Sequence, residues 1–199
     1  MKILLLGKRS FLANLTLEEL QKRWIKAQLL SSREDLQFYQ NFFDSRIEPD
    51  QKLVIANFVG CGIFGTFDEL SREQIDEGYR CNFKVPLQIL QVALKKIKAA
   101  GGVKRLLIVN LNSTSALNNY PQGVAYASFK AALSRALGII DKEFGKYWVK
   151  VKEIFAPVID SPWVRRMPYV PKKGVIEADQ VVREIVEAIL DWKEDKKSL

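Results

Sequence analysis

Four short runs of apolar residues, each bounded by polar residues or glycine, constrain the fold of this chain more than any other feature. They are Ile3–Leu6, Ala27–Leu30, Leu53–Ala56 and Leu106–Val109. A run that is apolar at nearly every position suits a β-strand with both faces buried, because a half-exposed strand would alternate apolar and polar residues. The runs therefore predict a buried parallel sheet.

Helical patterns follow these runs. Leu15–Trp24 follows the first run, and residues 70–102 follow the third. In the longer segment Ser71 and Gln74 have the spacing of a capping box, and Gly101–Gly102 would end the helix.

The second half of the chain continues this alternation. A helix is expected from near Gln122 to near Gly145, Tyr147–Pro157 alternates like a strand, and residues 178–192 carry apolar side chains at helical spacing. Strands that alternate with helices predict an α/β fold with helices on both faces of the sheet. With 199 residues, the chain is expected to form a single domain over residues 1–199.

Composition excludes several kinds of chemistry. The chain has no histidine, so Ser/His and Cys/His nucleophile pairs and most zinc sites are ruled out. The two cysteines, Cys61 and Cys81, have no metal-type spacing and are expected to be small buried residues, so no metal site is predicted. Few cysteines and the lack of a membrane-length apolar segment are typical of a soluble protein, and a cytoplasmic location is expected.

A net charge of +8 favours anionic ligands such as phosphates. The basic residues are spread along the chain, which indicates a solvated surface. A nucleic-acid-binding protein stays open as a third hypothesis, but no basic stripe or aromatic RNA platform supports it. Neither a specific nucleic acid nor a membrane is expected as a partner.

Tyr126 and Lys130 lie four positions apart in a small, apolar stretch, GVAYASFKAAL, that is typical of a helix. Positions i and i+4 share a helix face, so the hydroxyl and the ammonium can reach one pocket. A nearby cation lowers the pKa of a tyrosine, so this pair could form a tuned general acid. Taken alone, the pair also fits ordinary surface packing.

The surroundings of this pair resemble the active-site segment of the short-chain dehydrogenase/reductase family. An apolar strand, a Ser/Thr/Asn cluster, a loop with proline and glycine, and the Tyr/Lys helix follow one another as in that family. There a serine lies thirteen positions before the tyrosine, which picks out Ser113. Asn57–Gly60, "NFVG", looks like the family's NNAG segment, and the next helix has an asparagine at Asn82.

The resemblance covers about residues 52–192, and residues 149–162 look like the family's sixth strand and the stretch that contacts the nicotinamide amide. It implies a Rossmann-like doubly wound parallel sheet of about six to seven strands. It also implies an NADP(H)-dependent oxidoreductase that interconverts a carbonyl and an alcohol by hydride transfer on a small-molecule substrate.

Each member of the family's catalytic set has a matching residue here. The resemblance implies that Tyr126 donates a proton to the carbonyl oxygen and that Lys130 holds the nicotinamide ribose and lowers the tyrosine pKa. Ser113 would hydrogen-bond the developing oxyanion, and Asn82 would anchor a water in the proton path. From the residues alone, Ser113 could instead cap a turn, and Asn82 could be a buried amide that closes a helix bend before Pro86.

The implied dinucleotide site draws on both ends of the chain. Its residues would be Gly7, Lys8, Arg9, Ser10, Ser32, Arg33, Asn57, Gly60, Tyr126, Lys130, Pro157 and Ser161.

The glycine-rich loop departs from the family pattern TGxxxGxG. Gly7 matches, but Phe11 and Ala13 replace the later glycines, and a large side chain at Phe11 could fill the space that a phosphate needs. Two cations, Lys8 and Arg9, could grip a phosphate. Because Ser32 and Arg33 replace the acidic residue that would hold a ribose hydroxyl, NADP is favoured over NAD.

Two segments are short for the family. Only 23 residues lie between Arg33 and Asn57, so a strand or a helix is expected to be missing there, with Leu36–Asp44 as the remnant. The stretch Ser161–Gly174 is short for a substrate lid and offers contacts at Trp163, Arg165, Arg166 and Tyr169.

These departures support a rival hypothesis, a non-catalytic protein of the same fold that binds a ligand or a partner. Family members commonly form homodimers or homotetramers through their fourth and fifth helices. The apolar faces of residues 87–94 and 131–140 would allow such an assembly, although contacts inside the protein would explain the same residues.

Overall fold

Five parallel strands form the central sheet of the computed structural model, in the order β2-β1-β3-β4-β5. The structure describes residues 1–32, 36–46, 51–99, 105–162, 164–166 and 174–194. The strands of the sheet are β1 (Lys2–Leu6), β2 (Gln28–Leu30), β3 (Leu53–Asn57), β4 (Leu106–Ser113) and β5 (Val149–Ala156). Each predicted apolar run is therefore a strand, and the alternating stretch after them is β5.

The helices alternate with these strands. They are α1 (Phe11–Lys22), α2 (Leu36–Arg46), α3 (Arg72–Tyr79), α4 (Val85–Ala99), α5 (Val124–Phe144) and α6 (Ala178–Glu194). A π-helical turn, Arg80–Lys84, joins α3 to α4. Short 3₁₀ turns follow β4 and α5, and a third lies at Val164–Arg166.

Side chains of the sheet alternate between two cores, because successive residues of a strand point to opposite faces. Leu4 and Leu6 of β1 pack with α2, α4 and α5, whereas Ile3 and Leu5 pack with α1 and α6. Both faces of the sheet are thus covered. The predicted α/β fold, a Rossmann-like doubly wound parallel sheet, is confirmed.

The sheet has fewer strands than the six to seven expected. Between β2 and β3 the described residues form a single helix, α2, and Tyr39, Phe42 and Phe43 of this helix are buried in the core. The remnant segment is therefore this helix. Two further strands, β6 (Val158–Ile159) and β7 (Val175–Ile176), pair with each other in a separate small sheet.

Local chemistry explains where several elements begin and end. The first helix starts at Phe11, four residues earlier than expected, because the Ser10 hydroxyl caps it by accepting from the Ala13 N–H. The predicted capping box is confirmed, since Gln74 N–H donates to Ser71 Oγ (3.2 Å) and Ser71 N–H donates to Gln74 Oε1 (2.9 Å). Gly101–Gly102, the expected stop signal, lies outside the described residues.

Interior contacts account for much of the apolar character of α4 and α5. Ile89, Leu90 and Leu94 of α4 and Leu133 and Leu137 of α5 are buried in one core. The homodimer or homotetramer stays a prediction, as does the single domain. Among the described residues, the helices lack the length and apolar character that crossing a membrane requires.

Candidate active site

The predicted site residues gather at one edge of the sheet, where the parallel strands end. Gly7 follows β1, Asn57 ends β3, Ser113 ends β4 and Pro157 follows β5. The connection from β1 leads outward to β2 on one side, whereas β3 lies on the other side of β1. Ligands of doubly wound sheets bind at such a switch point, outside the carboxyl ends of the strands.

Three members of the predicted catalytic set meet at this edge. Tyr126 and Lys130 occupy the first two turns of α5, and Lys130 Nζ lies 5.9 Å from the centre of the Tyr126 ring. Ser113 lies beside Tyr126, and the interaction of its side chain with the phenol acts to lower the pKa of Tyr126. Ser113 Oγ also accepts from the Ser115 N–H (3.1 Å), so this residue caps the turn after β4 as well. The capping role of Ser113 is therefore seen in the structure, whereas its catalytic role stays a prediction.

Burial raises the pKa of Tyr126 above its ordinary value, and the nearby Cys61 adds to the rise. The interaction with Ser113 acts in the opposite direction but does not outweigh burial. The pKa of Tyr126 is therefore raised overall, whereas the sequence analysis expected Lys130 to lower it. The ring of Phe64, centred 5.2 Å from the Tyr126 ring, contributes to the cover over the tyrosine.

Lys130 is a buried cation with an altered pKa. Its side chain is 6% exposed, and Nζ donates to the Leu111 carbonyl at 3.3 Å. Burial lowers the pKa of Lys130 to about 8, and this fall is limited by negative charge at Cys61 and Glu153. Near neutral pH the side chain is therefore still mainly an ammonium.

Gly60 allows the backbone to pass directly over this lysine. A Cβ atom at Gly60 would lie 3.2 Å from Lys130 Nζ and 2.8 Å from Asn82 Oδ1. No residue larger than glycine fits here unless its neighbours move. The sequence prediction that Gly60 belongs to the site thus has a steric explanation.

The side chain of Asn82 hydrogen-bonds the loop that contains Gly60. Its Oδ1 accepts from the Cys61 N–H (3.2 Å) and its Nδ2 donates to the Cys61 carbonyl (2.9 Å). Asn82 is fully buried in the π-helical turn, four residues before Pro86, which has no N–H to donate to the Asn82 carbonyl. The side-chain amide thus holds the loop, and the Asn82 carbonyl cannot receive the bond from residue i+4 that an α-helix would supply.

A row of polar residues crosses the sheet beneath the site. Asn57, Asn110 and Glu153 are side by side on β3, β4 and β5. Asn57 Nδ2 donates to Asn110 Oδ1 (2.8 Å), and Asn110 Nδ2 donates to Glu153 Oε1 (3.0 Å). Asn57 therefore joins β3 to β4, and its predicted contact with the cofactor stays a prediction.

Glu153 also joins this row to α5, the helix that carries Tyr126 and Lys130. The hydroxyl of Ser134, one turn after Lys130, donates to Glu153 Oε2 at 2.6 Å, and Asn112 Nδ2 donates to Oε1 at 2.9 Å. The sequence analysis missed Glu153, because an acidic residue in an alternating strand is read as solvent-facing. Glu153 differs from a solvent-facing residue in the strand register, which places it opposite Asn110.

The glycine loop after β1 is tight despite its divergence. Gly7 has φ +108°, and a Cβ atom there would lie 3.3 Å from the Phe58 carbonyl carbon, so glycine is required. Asn14 Nδ2 donates to the carbonyls of Lys8 (3.1 Å) and Ser10 (2.7 Å) and so braces the loop.

The cations and the aromatic side chain of this loop face outward. Lys8 and Arg9 are exposed, and Phe11, the first residue of α1, keeps 40% of its surface exposed. Phe11 is thus not packed into the core below the loop. Ser32 lies just after β2 and is half-buried, whereas Arg33 lies outside the described residues.

The predicted nicotinamide contacts have local partners. The buried Ser161 accepts from the Val164 N–H at 3.3 Å and caps the turn Val164–Arg166, and Pro157 separates β5 from β6. Arg165 forms a bidentate pair with Asp160, with both N···O distances 2.7 Å. Trp163 and Tyr169 lie outside the described residues.

The two cysteines are not the small buried residues expected. Cys61 and Cys81 are both half-exposed and lie together beside Glu77. Hydrogen bonding between the thiols lowers the pKa of Cys61 and raises that of Cys81. The fold brings Cys61 and Cys81 together, although no motif or spacing in the sequence predicted their contact.

Comparison with known proteins agrees with this geometry. A family model described as short chain dehydrogenase matches residues 2–168. L-xylulose reductase of Bos taurus is 22% identical over 153 residues, which are 73% of this chain and 62% of that protein. An uncharacterized oxidoreductase of Thermotoga maritima is 27% identical over 101 residues, 51% of this chain and 39% of that protein. The chain thus spans less than two thirds of the length of these relatives.

Solved structures share the fold over almost the whole chain. ElxO with NADP bound has a TM-score of 0.80 at 14% identity and covers 100% of this chain and 93% of its own. A 4-hydroxyisoleucine dehydrogenase complexed with NADH and succinate has a TM-score of 0.75 at 17% identity, with 96% and 92% covered. At these identities the likeness shows the fold.

Proposed function

The chain belongs to the short-chain dehydrogenase family, and from this premise we propose that it is an NADP(H)-dependent oxidoreductase that interconverts a carbonyl and an alcohol. The observation that carries the proposal is the meeting of Ser113, Tyr126 and Lys130 at the carboxyl end of β4. When bound, the nicotinamide cofactor supplies or accepts the hydride. A small-molecule carbonyl or alcohol would be the substrate.

Tyr126 is suited to donate a proton to a carbonyl oxygen. The side chain is a neutral phenol at neutral pH and so carries the proton to be donated, but the burial that raises its pKa makes it a weaker acid than an exposed tyrosine. Ser113, which lies beside the same hydroxyl, would hold the oxygen of the substrate as negative charge develops on it. The proton and the stabilising donor would thus reach one atom of the substrate.

Lys130 would position the cofactor and the tyrosine. Its ammonium has three N–H donors, and one of them bonds the Leu111 carbonyl. The other donors would bind the ribose hydroxyls of the cofactor. With a pKa of about 8, Lys130 keeps its positive charge near neutral pH, when this role requires it.

Asn82 would act through its backbone. Its side-chain amide is already bonded to Cys61, so a water in the proton path would bind to the Asn82 carbonyl, which receives no hydrogen bond from Pro86. This water would link Lys130 to solvent and return a proton to Tyr126 after each turnover.

The residues after β1 fit a dinucleotide. Glycine at position 7 removes the Cβ that would close the gap toward Phe58, and α1 begins three residues after this turn with N–H groups that favour an anion. Exposed Lys8 and Arg9 would add charge for the extra phosphate of NADP. The preference for NADP over NAD rests on these two cations and on Ser32.

A second hypothesis is a non-catalytic protein that binds a ligand or partner through this fold. It is favoured by the nucleotide side of the sheet, where Phe11 replaces a glycine and a single helix joins β2 to β3. In this case the catalytic residues would be present, but the dinucleotide could not reach them.

Binding of NADPH and NADH to the purified protein distinguishes the two hypotheses. Titration calorimetry and the change in thermal midpoint should show micromolar binding of NADPH and weaker binding of NADH, because a ligand of the folded state stabilises it. The Lys8→Ala/Arg9→Ala double variant should lose the preference for NADPH while still binding NADH. If neither nucleotide binds at millimolar concentration, the oxidoreductase proposal fails and the second hypothesis replaces it.

A further inference from the structure

Three potential metal ligands converge beside the catalytic residues. Cys61 lies in the loop after β3, Glu77 is on α3, and Cys81 is in the π-helical turn. The two Sγ atoms and a carboxylate oxygen of Glu77 all lie within 4.8 Å of one another. We refer to these three residues as the thiol cluster.

The spacing of the thiol cluster suits chelation. Glu77 and Cys81 are four residues apart and share one helix face, as shown by the hydrogen bond from Cys81 Sγ–H to Glu77 Oε1 at 3.0 Å. Pairs of ligands at this spacing bind metals from a single helix. Cys61 adds a third ligand from outside the helix.

The distances fit a thiophilic divalent cation. Zinc binds thiolate sulfur at about 2.3 Å and carboxylate oxygen at about 2.0–2.2 Å with tetrahedral geometry, so neighbouring ligand atoms lie about 3.5–3.8 Å apart. The thiol cluster would reach this geometry through shifts of about 1 Å or less. Both cysteines are half-exposed, which leaves a route for the ion to enter.

Neighbouring side chains already hold two of the ligands in place. Arg80 Nε and Nη2 each bond a different carboxylate oxygen of Glu77 at 2.7 Å, an outer-shell contact of the type that orients carboxylate ligands. The Asn82 amide holds both the N–H and the carbonyl of Cys61. These contacts keep two of the three ligands near each other before a metal binds.

We propose that Cys61, Glu77 and Cys81 bind one Zn²⁺ ion and leave a fourth coordination position to water. Starting from the two protonated thiols, two S–H bonds break, two Zn–S bonds and one Zn–O bond form, the ion loses the water molecules that these ligands replace, and two protons go to solvent. The net charge of the thiol cluster is −1 before and after binding, and no electron is transferred.

Zinc would join the loop at Gly60–Cys61 to the helix that carries Asn82. Gly60 packs against Asn82 and against the end of the Lys130 side chain. We call these two segments the floor of the site. A bound ion would therefore stabilise the folded state and restrict this floor. The proposal does not depend on the oxidoreductase assignment, because the ligands are outside the catalytic set.

The test is a titration of the reduced, metal-free protein with Co²⁺ followed by Zn²⁺. One equivalent of Co²⁺ should produce thiolate-to-cobalt charge-transfer absorption and the visible bands of a tetrahedral ion, and one equivalent of Zn²⁺ should abolish them. Two protons should be released per zinc, and the thermal midpoint should rise. Absence of these bands at saturating Co²⁺ would overturn the proposal.

Variants locate the site. Cys61→Ser and Cys81→Ser should each abolish the charge-transfer band, and Glu77→Gln should weaken zinc binding by at least roughly tenfold. Glu73→Gln, on an exposed position of the same helix, should bind zinc like the wild type. Equal loss of binding in Glu73→Gln, or full binding in both cysteine variants, would contradict the assignment.

A second measurement keeps the test independent of variant folding. In the wild-type protein, zinc should slow alkylation of both thiols by iodoacetamide at least tenfold. If the cysteines instead form a disulfide with oxidised glutathione while the reduced form binds no metal, the zinc site is refuted.

Discussion

Two regions of the proposed site are held together in different ways, and we refer to them by their proposed roles as the catalytic edge and the nucleotide edge. At the catalytic edge, around β3, β4, β5 and α5, buried polar side chains bond one another across strands, as in the row Asn57–Asn110–Glu153. At the nucleotide edge, around β1, α1 and β2, the loop is held by local bonds within a few residues, such as those of Asn14 to Lys8 and Ser10.

This difference explains where the chain departs from its family. The loop after β1 is held by hydrogen bonds to its backbone carbonyls and by Gly7. Its shape therefore does not depend on the outward-facing side chains of Lys8, Arg9 and Phe11. A site in which Ser113, Tyr126 and Lys130 must meet has no such freedom. The departures from the family pattern that the sequence analysis identified lie at the nucleotide edge, and the residues that it matched to the catalytic pattern lie at the catalytic edge.

The largest effect is expected from Tyr126→Phe. Removal of the hydroxyl takes away the proposed proton donor, and carbonyl reduction should fall by about 10²–10⁴-fold. Steady-state rates with NADPH measure this loss, and circular dichroism checks the fold. The matched control is Tyr120→Phe, because Tyr120 is 53% exposed in the loop before the same helix. If Tyr126→Phe keeps the wild-type rate, Tyr126 is not the proton donor. The catalytic edge would then lack the residue on which the comparison rests.

Gly60→Ala should lower the free energy of unfolding by about 1–3 kcal/mol, the usual cost of overpacking. The new Cβ would lie 2.8 Å from Asn82 Oδ1, and this amide cannot swing away while it holds Cys61. Gly138→Ala in α5 is the control, because a Cβ there meets no atom within 4 Å and should stabilise the helix by about 0.5–1 kcal/mol. Denaturant unfolding measures both. Equal effects would show that Gly60 is not constrained.

Stability should depend on the proton of Lys130. Burial lowers its pKa from 10.5 to about 8, so above pH 8 the folded protein loses this proton while the unfolded chain still binds it. The unfolded state then holds more protons, and the free energy of unfolding rises with pH by about 1 kcal/mol per pH unit. Below pH 8 the lysine is charged in both states and this contribution is constant.

The measurement for Lys130 is urea unfolding of the wild type and Lys130→Met from pH 7 to 9.5. The difference between the two proteins isolates this lysine from the other titrating groups. Above pH 8 the free energy of unfolding of the wild type should rise relative to that of Lys130→Met. A difference that stays flat over this range would show that Lys130 is not a desolvated cation.

Glu153→Gln should have the smallest effect on stability, within about 1 kcal/mol, because a glutamine can retain hydrogen bonds to Asn112 and Ser134. It removes a negative charge that raises the pKa of Lys130. The pH at which the wild-type stability begins to rise should therefore move lower in this variant. If this pH is unchanged, Glu153 supports the strands without influencing the catalytic lysine.

Several features of the site could be predicted from the sequence because they depend on short spacings. Tyr126 and Lys130 share a face through the helical repeat, and the strand before Ser113 is evident from its apolar run. The direction of the Tyr126 pKa could not be predicted, since it depends on how completely other segments cover the ring. Phe64, which lies over that ring, is more than sixty residues away in the chain.

By itself, the sequence determined the alternation of buried strands and helices, the capping of α3 and the placing of Tyr126 and Lys130 on one helix face, all of which are encoded by neighbours within a few positions. Only the tertiary structure decided the partners of Asn57, Asn82 and Glu153 and the meeting of Cys61 with Cys81. Those contacts depend on strand register and on the approach of loops, and one sequence carries no local pattern for either.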